Sequence, residues 1–145
     1  MRDVRRSALL PYSPQQIYAL VTDVERYPEF LPWCTSARIV ARGANEVTAT
    51  LGLASGIARA AFTTRNRLDP GRSVSMALVD GPFDHLDGRW DFTPIQSDGT
   101  RVDLHVRFAT HGLIGTIALG PAFEGVCNRL VDAFARRAKQ MYGGN

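Results

Sequence analysis

Cysteine is scarce in this 145-residue chain, and its scarcity limits the chemistry that the chain could perform. Cys34 and Cys127 are the only two, and they lie far apart, outside any CxxC pair. His85, His105 and His111 are equally scattered, so no spacing favours a zinc site. Two buried free thiols in a reducing compartment are a better interpretation than a disulfide, which the even count alone would permit.

Long apolar stretches are also missing. No run approaches the roughly 18 apolar residues that a membrane-spanning helix requires. The first six residues are rich in charge and are followed by no apolar core of the kind that secretory signals carry. We therefore expect a cytoplasmic protein, and peripheral contact with the inner membrane is the alternative.

Recognisable catalytic and nucleotide-binding motifs are absent as well. There is no GxGxxG after a predicted strand, no GxxxxGK[ST] and no GxSxG. No histidine is tied to an obvious serine or cysteine nucleophile. Asp84 and Asp87, near His85, fit either a polar site or a plain surface. We expect no enzymatic activity, no metal and no cofactor.

Lysine occurs once, against 16 arginines, in a chain with a formal charge of +3 and a pI of about 9.2. No compact basic block is present. A solvated sheet face is the plainest interpretation of the arginines on predicted strands. The alternative is an interaction surface for phosphates, on an anionic membrane or on a ribosomal subunit, with no DNA expected. The candidate residues for that surface are Arg38, Arg42, Arg59, Arg65 and Arg67.

What the sequence does contain is periodicity. Apolar residues recur every three or four positions between 120 and 142, which predicts an amphipathic C-terminal helix about 30 Å long. Residues 3–10 predict a first strand, and SPQQ at 13–16 predicts a helix that begins with a capping box. A second short turn begins at Asp23. Between 36 and 108, period-two patterns separated by turn residues predict about six further strands.

These elements predict a single α+β domain over residues 1–145. A curved antiparallel sheet of about seven strands wraps around the long C-terminal helix, and two short helices follow the first strand. Small inward residues (Ala37, Ala49, Ala58 and Ala60) favour an apolar cavity for a hydrophobic small molecule, and a solid core is the alternative. Strand parity and size give the candidate lining residues: Phe30, Trp33, Phe62, Met76, Trp90, Phe92, Phe108, Phe123 and Cys127.

Residues 27–34 (YPEFLPWC) have their own ambiguity. Four large side chains lie between or next to two prolines, where neither a helix nor a strand can be regular. The segment fits a buried corner that plugs one end of the core. It fits equally the lip of a cavity, because loops on a rigid scaffold often form ligand entrances.

Residues 20–34 (LVTDVERYPEFLPWC) resemble the signature of the coenzyme Q-binding START-domain family, to which bacterial ribosome-association toxins also belong. Three further segments match in order: GPF at 81–83, LxGxWxF at 86–92, and AFxRRA at 133–138 followed by MYG at 141–143. The resemblance covers nearly the whole chain. It implies a helix-grip fold with a hydrophobic tunnel.

The resemblance also implies two functions. The first is non-enzymatic binding of ubiquinone or a similar polyprenyl lipid in support of respiration. The alternative is binding to a ribosomal subunit, which would interfere with the joining of subunits. One position departs from the family: Pro121 falls within a helix that resembles a continuous one in relatives. We expect it to shorten or kink the beginning of that helix.

Overall fold

A computed structural model describes residues 1–96 and 98–143, and it contains a seven-stranded antiparallel sheet. The strands are β1 (Arg2–Leu10), β2 (Cys34–Arg42), β3 (Glu46–Ser55), β4 (Ala58–Asp69), β5 (Ser73–Asp80), β6 (Phe83–Ile95) and β7 (Gly99–Thr110). Their order in the sheet is β1-β7-β6-β5-β4-β3-β2. Strands β2 to β7 therefore form a meander of consecutive neighbours, and β1 returns to pair with β7.

Two short helical segments separate β1 from β2. Ser13 caps α1 (Pro14–Thr22): its hydroxyl accepts from the Gln16 backbone N–H at 3.2 Å, and the Gln16 side-chain oxygen accepts from the Ser13 N–H at 2.9 Å. The predicted capping box is confirmed. A 3-10 turn, Val24–Glu29, then leads the chain to the corner before β2.

The C-terminal helix begins at Gly112 rather than at the predicted Gly120. It consists of α2 (Gly112–Ile114), a π-helical segment (Gly115–Leu119) and α3 (Gly120–Tyr142). A proline lacks an N–H and crowds the carbonyl four residues before it, so an ordinary α turn cannot pass it without strain. The wider π turn stands directly before Pro121, as such turns do where a helical hydrogen-bond pattern is interrupted. The helix is therefore not shortened at Pro121, although the regular α3 begins at Gly120 as the sequence predicts. The alternative expectation, a kink at Pro121, stays a prediction.

The long helix lies across the concave side of the curved sheet, and its apolar face is buried as the periodicity predicts. Phe108, Ile17 and Leu104 are among the most deeply buried side chains and come from β7 and α1. The α+β helix-grip architecture is confirmed. The buried face of α3 consists of Gly120, Phe123, Val126, Cys127, Val131, Ala133, Phe134 and Ala138.

Two local predictions on the strands are wrong. A β-bulge between Ile39 and Ala41 shifts the alternation, so Arg42 pairs with the buried Val47 and falls on the inner side of the sheet end. Strand parity cannot reveal a bulge, because one extra residue moves every later side chain of the strand to the opposite face of the sheet. The glycine within the alternating pattern at 86–92 also predicts a bulge or bend, but Gly88 pairs in register with Met76 and Val106.

The sequence also predicts a hairpin turn at residues 97–99 and an end of the C-terminal helix at Gly143 and Gly144, and both features extend beyond the described residues. Ser97, in the predicted hairpin turn at 97–99, lies outside them, as does Gly144 of the predicted helix end. Among the helices in the described part of the chain, none is both long enough and apolar enough to cross a membrane.

Candidate functional site

An internal cavity of about 110 Å³ lies between the concave side of the sheet and α3. Its wall is almost wholly apolar and combines side chains from β3 to β7, α3 and the corner before β2. Cavities of about 150 Å³ with apolar walls stay dry and bind benzene. Pockets for drug-sized ligands measure roughly 300–1,000 Å³. The cavity is therefore the size of one ring, and a polyprenyl chain would not fit within it.

Small residues at the middle of the strands create this space. Gly88 lies at the centre of the concave face, between Met76 on β5 and Val106 on β7, and all three line the cavity. A Cβ at Gly88 would stand 2.7 Å from the Met76 methyl group, so the missing side chain leaves room for the thioether. Ala49 does the same on β3.

Two aromatic clusters flank the cavity. Both consist mainly of edge-to-face ring pairs, with centroid separations such as 4.8 Å for Phe108–Phe123 and 5.3 Å for Trp90–Phe134. Because bulky rings pack at both ends of β6 and small residues lie between them, the gap remains open in the middle. One cluster contains Phe62, Phe83, Phe108 and Phe123, and the other contains Tyr18, Tyr27, Phe30, Trp90, Phe92 and Phe134.

A polar pair interrupts the apolar wall. Thr64 and Asn66 are adjacent inward positions of β4, exposed by only 6% and 8%, and both line the cavity. The Thr64 hydroxyl donates to Asn66 Oδ1 at 2.8 Å. Neither residue is among those predicted to line the cavity, although Asn66 has the same strand parity as Phe62, which is. Parity was the signal that could have found it.

The segment at residues 27–34 is both a buried corner and a wall of the cavity. Leu31 and Trp33 are buried and line the cavity, together with Tyr27 and Cys34. The Tyr27 hydroxyl donates to the Val21 carbonyl, and burial raises the pKa of this phenol above its usual value. The two interpretations of this segment therefore describe one arrangement.

Both cysteines line the cavity as free thiols. Burial raises the pKa of the Cys127 thiol to about 12, and the nearby Glu124 carboxylate acts in the same direction. Burial also raises the pKa of the half-buried Cys34 thiol, against a weaker opposing effect of hydrogen bonding with the Ser36 backbone. Such thiols stay protonated at neutral pH and behave as apolar wall groups.

The convex side of β2–β4 carries the other candidate site, which we call the arginine face: Arg38, Arg59, Arg65 and Arg67. All four are exposed. The threonines of β3 and β4 lie between them, and Thr50 and Thr63 share a hydrogen bond of 2.7 Å. Arg65 approaches Glu46 at 3.4 Å, whereas the other three arginines form no salt bridge within the described residues. Arg42, predicted with this group, lies apart from it because of the bulge in β2.

The convex side of β1, β6 and β7 differs, because three of its arginines are paired with aspartates. The pairs are Arg5–Asp3, Arg89–Asp91 and Arg101–Asp103, at 3.5, 2.9 and 3.2 Å. Exposed pairs of this kind contribute little to stability, yet they reduce the net charge on the surface. Arg107 on β7 is exposed and forms no salt bridge within the described residues, so this side has fewer unpaired arginines than the arginine face, which has three.

Residues 10–135 match the family model described as polyketide cyclase / dehydrase and lipid transport. The chain belongs to this family. The predicted resemblance is confirmed, and the helix-grip frame and the cavity are those of a START-like member of the polyketide cyclase and lipid transport family.

Three comparisons locate the chain within the polyketide cyclase and lipid transport family. It is 43% identical over 140 residues to the ribosome association toxin RatA of Pseudomonas aeruginosa, a match that covers 97% of each chain. It is 28% identical over 143 residues to the mitochondrial coenzyme Q-binding protein COQ10 homolog B of Xenopus laevis, covering 94% of this chain and 58% of that protein. Its fold matches the ZhuI aromatase/cyclase of Streptomyces sp. R1128 with a TM-score of 0.85 at 18% identity, covering 99% and 98%.

Six of the nine residues predicted from strand parity and size to line the cavity do so: Trp33, Phe62, Met76, Trp90, Phe123 and Cys127. The other three, Phe30, Phe92 and Phe108, lie outside the wall. Phe108 is fully buried behind Phe123, and Phe92 stacks on the far side of Trp90 at 6.3 Å. Phe30 packs at the rim, where the Arg137 guanidinium stands 4.9 Å from its ring centre.

The family includes cyclases, but the histidines of this chain stand away from the cavity. Each is bonded to an aspartate: His85 to Asp87, His105 to Asp3 at 2.9 Å, and His111 to Asp84 at 2.7 Å. None of these residues lines the cavity. Across residues 1–96 and 98–143, no group of three His, Cys, Asp or Glu side chains could hold a metal ion.

Proposed function

We propose that this chain associates with a ribosomal subunit through the arginine face and interferes with the joining of subunits. The observation that carries the proposal is the 43% identity, over 97% of both chains, to a protein named ribosome association toxin. The relative of Escherichia coli with the same name supports it at 40% identity over 142 residues. Ribosome association therefore ranks above quinone binding for this chain.

The charge distribution supports the choice of surface. The arginine face carries four guanidinium groups, of which only that of Arg65 is paired with a carboxylate, Glu46, within the described residues. Guanidinium groups bind phosphate oxygens in a two-pronged geometry and remain charged at any physiological pH. Release of counterions from RNA would add to the affinity and make the binding fall steeply with salt.

Sedimentation with purified 30S and 50S subunits tests the proposal. The triple variant Arg59→Glu/Arg65→Glu/Arg67→Glu changes the net charge from +3 to −3, because each substitution removes two units. We expect it to lose co-sedimentation, whereas wild-type protein binds one subunit with a strong salt dependence. Each lost phosphate contact should reduce the slope of log affinity against log salt by about 1.

A matched control distinguishes a specific face from overall charge. The variant Arg5→Glu/Arg89→Glu/Arg101→Glu has the same net charge, but its changes fall among the paired arginines of β1, β6 and β7. We expect it to keep co-sedimentation. Equal loss of co-sedimentation in both variants would mean that net charge, and not this face, determines binding. Unchanged sedimentation of the first variant would overturn the proposed face.

The second candidate function is the binding of a small apolar ligand of the quinone class in the cavity. Two observations favour it: the ring-sized apolar volume of about 110 Å³, and the 28% identity to a coenzyme Q-binding protein. The ring would occupy the cavity, and any polyprenyl chain would lie outside it. Organic extraction and mass spectrometry, on protein made in a quinone-producing host, should recover a quinone. Repeated absence of any quinone would contradict this function.

A further inference from the structure

The polar pair in the cavity wall is the feature that neither proposed function accounts for. Asparagine is disfavoured both in strands and in protein interiors, because its amide must find hydrogen-bond partners there. Asn66 nevertheless lies on a central strand at 8% exposure. The residues directly opposite Asn66 on β3 and β5 are Val47 and Met76, and both are apolar.

The hydrogen bond from Thr64 orients the amide. Because the Thr64 hydroxyl donates to Asn66 Oδ1, that end of the amide is engaged and Nδ2 points elsewhere. Nδ2 donates to no other group among residues 1–96 and 98–143. Tyr27, whose hydroxyl is also a donor in the wall, is already bonded to the Val21 carbonyl. Asn66 Nδ2 is therefore one donor that remains available to a molecule in the cavity. The indole N–H groups of Trp33 and Trp90, which also line the cavity, likewise have no hydrogen-bond partner among the described residues.

We propose that Asn66 Nδ2, held in position by Thr64, binds the carbonyl oxygen of a ring-sized aryl ketone or quinone in the cavity. The inference rests on the second proposed function, that the cavity holds a ligand, and adds to it the anchoring group and the ligand class. The aromatic residues of the wall add selectivity for the ring of the ligand. Phe62, Trp90 and Phe123 present ring edges and faces, which suit an aromatic ring. A site built to hydrogen-bond one oxygen discriminates against an analogue that lacks it.

Acetophenone and α-methylstyrene test this selection, because they have the same shape and differ only in C=O against C=CH₂. Titrations monitored by ¹H–¹⁵N correlation spectra would give both dissociation constants. We expect acetophenone to bind about tenfold more tightly, which corresponds to about 1.4 kcal/mol. The Asn66 side-chain NH₂ resonances should move only with the ketone.

Two isosteric variants and one control identify the anchor. Asn66→Leu should remove the preference for the ketone while leaving the affinity for α-methylstyrene unchanged. Thr64→Val should weaken the preference, because the amide loses the group that orients it. Thr63→Val is the matched control, since Thr63 is a neighbouring threonine that does not line the cavity. It should change nothing.

Thermal unfolding distinguishes a binding role from a structural one. If the pair binds ligand, the double variant Thr64→Val/Asn66→Leu should keep or raise the Tm without ligand, because replacing both partners of a buried hydrogen bond by apolar groups of similar shape is neutral or stabilising. A lower Tm with unchanged selectivity would assign the pair to structure and overturn the proposal. Equal affinity of wild-type protein for both probes would overturn the anchor but leave the cavity as a binding site. Failure of both probes to bind would overturn the second proposed function as well.

Discussion

The two halves of the concave side of the sheet fill the same space in different ways. Along β1 and β7, large side chains such as Phe108 and Leu104 meet the helices, and within β7 only Val106 lines the cavity. Along β3 and β4, the inward positions include Ala49 and Asn66, and the cavity opens beside them. The backbone pairing is continuous across both halves. The size of a few mid-strand side chains therefore decides whether this fold has a solid core or a hollow one.

Truncation of the solid half should have the largest effect on stability. Phe108→Ala removes a ring packed 4.8 Å from Phe123 and 6.2 Å from Phe83, and should destabilise the protein by about 3–5 kcal/mol. Met76→Ala, in the cavity wall, should cost less, about 2 kcal/mol, because space already exists beside it. Urea unfolding at equilibrium measures both. Equal losses would mean that the two halves are packed alike.

Filling the hollow should remove ligand binding with little effect on folding. Ala49→Leu adds a branched side chain at a buried position of the wall, and the free energy of unfolding should change by about 1 kcal/mol or less. The affinity for α-methylstyrene should fall more than tenfold. Ala61→Leu, on the exposed side of β4, is the control and should bind normally. Normal binding by Ala49→Leu would put the ligand elsewhere.

The two thiols of the wall should differ in reactivity, which is the smallest of these effects. At pH 8 iodoacetamide should modify the half-buried Cys34 slowly and leave the buried Cys127 untouched, as peptide mass spectrometry would detect. Because the folded-state pKa of Cys127 is raised from 9.0 to about 12, its contribution to stability is complete below pH 9 and is lost as the pH approaches 12. Cys127→Ala should flatten that alkaline loss. Equal labelling of both thiols in native protein would contradict the burial.

Most of the fold could be predicted from periodicity. The period-two and period-3.6 patterns located the strands and α3, and the motif at residues 13–16 predicted the start of α1. The beginning of the C-terminal helix could not be predicted, because a proline within a helix and a proline at its first turn have the same local sequence. The structure resolves the choice with a π turn before Pro121.

The candidate sites were less predictable than the fold. Parity separates inward from outward residues but does not say which inward residues border empty space, so Phe92 and Phe108 were assigned to a wall that they only support. Clusters of histidines and carboxylates are the usual sequence signals of a polar site, and a single asparagine such as Asn66 belongs to no such cluster. One bulge in β2 was enough to separate Arg42 from the other arginines.

A single sedimentation experiment tests most directly the claim that the convex arginine face, and not the cavity, binds the ribosome. It compares wild-type protein, the cavity-filled variant Ala49→Leu, and Arg59→Glu/Arg65→Glu/Arg67→Glu on one set of purified subunits. We predict that Ala49→Leu sediments with a subunit as wild-type protein does, whereas the arginine variant stays at the top of the gradient. Loss of binding by Ala49→Leu, with binding retained by the arginine variant, would contradict the account.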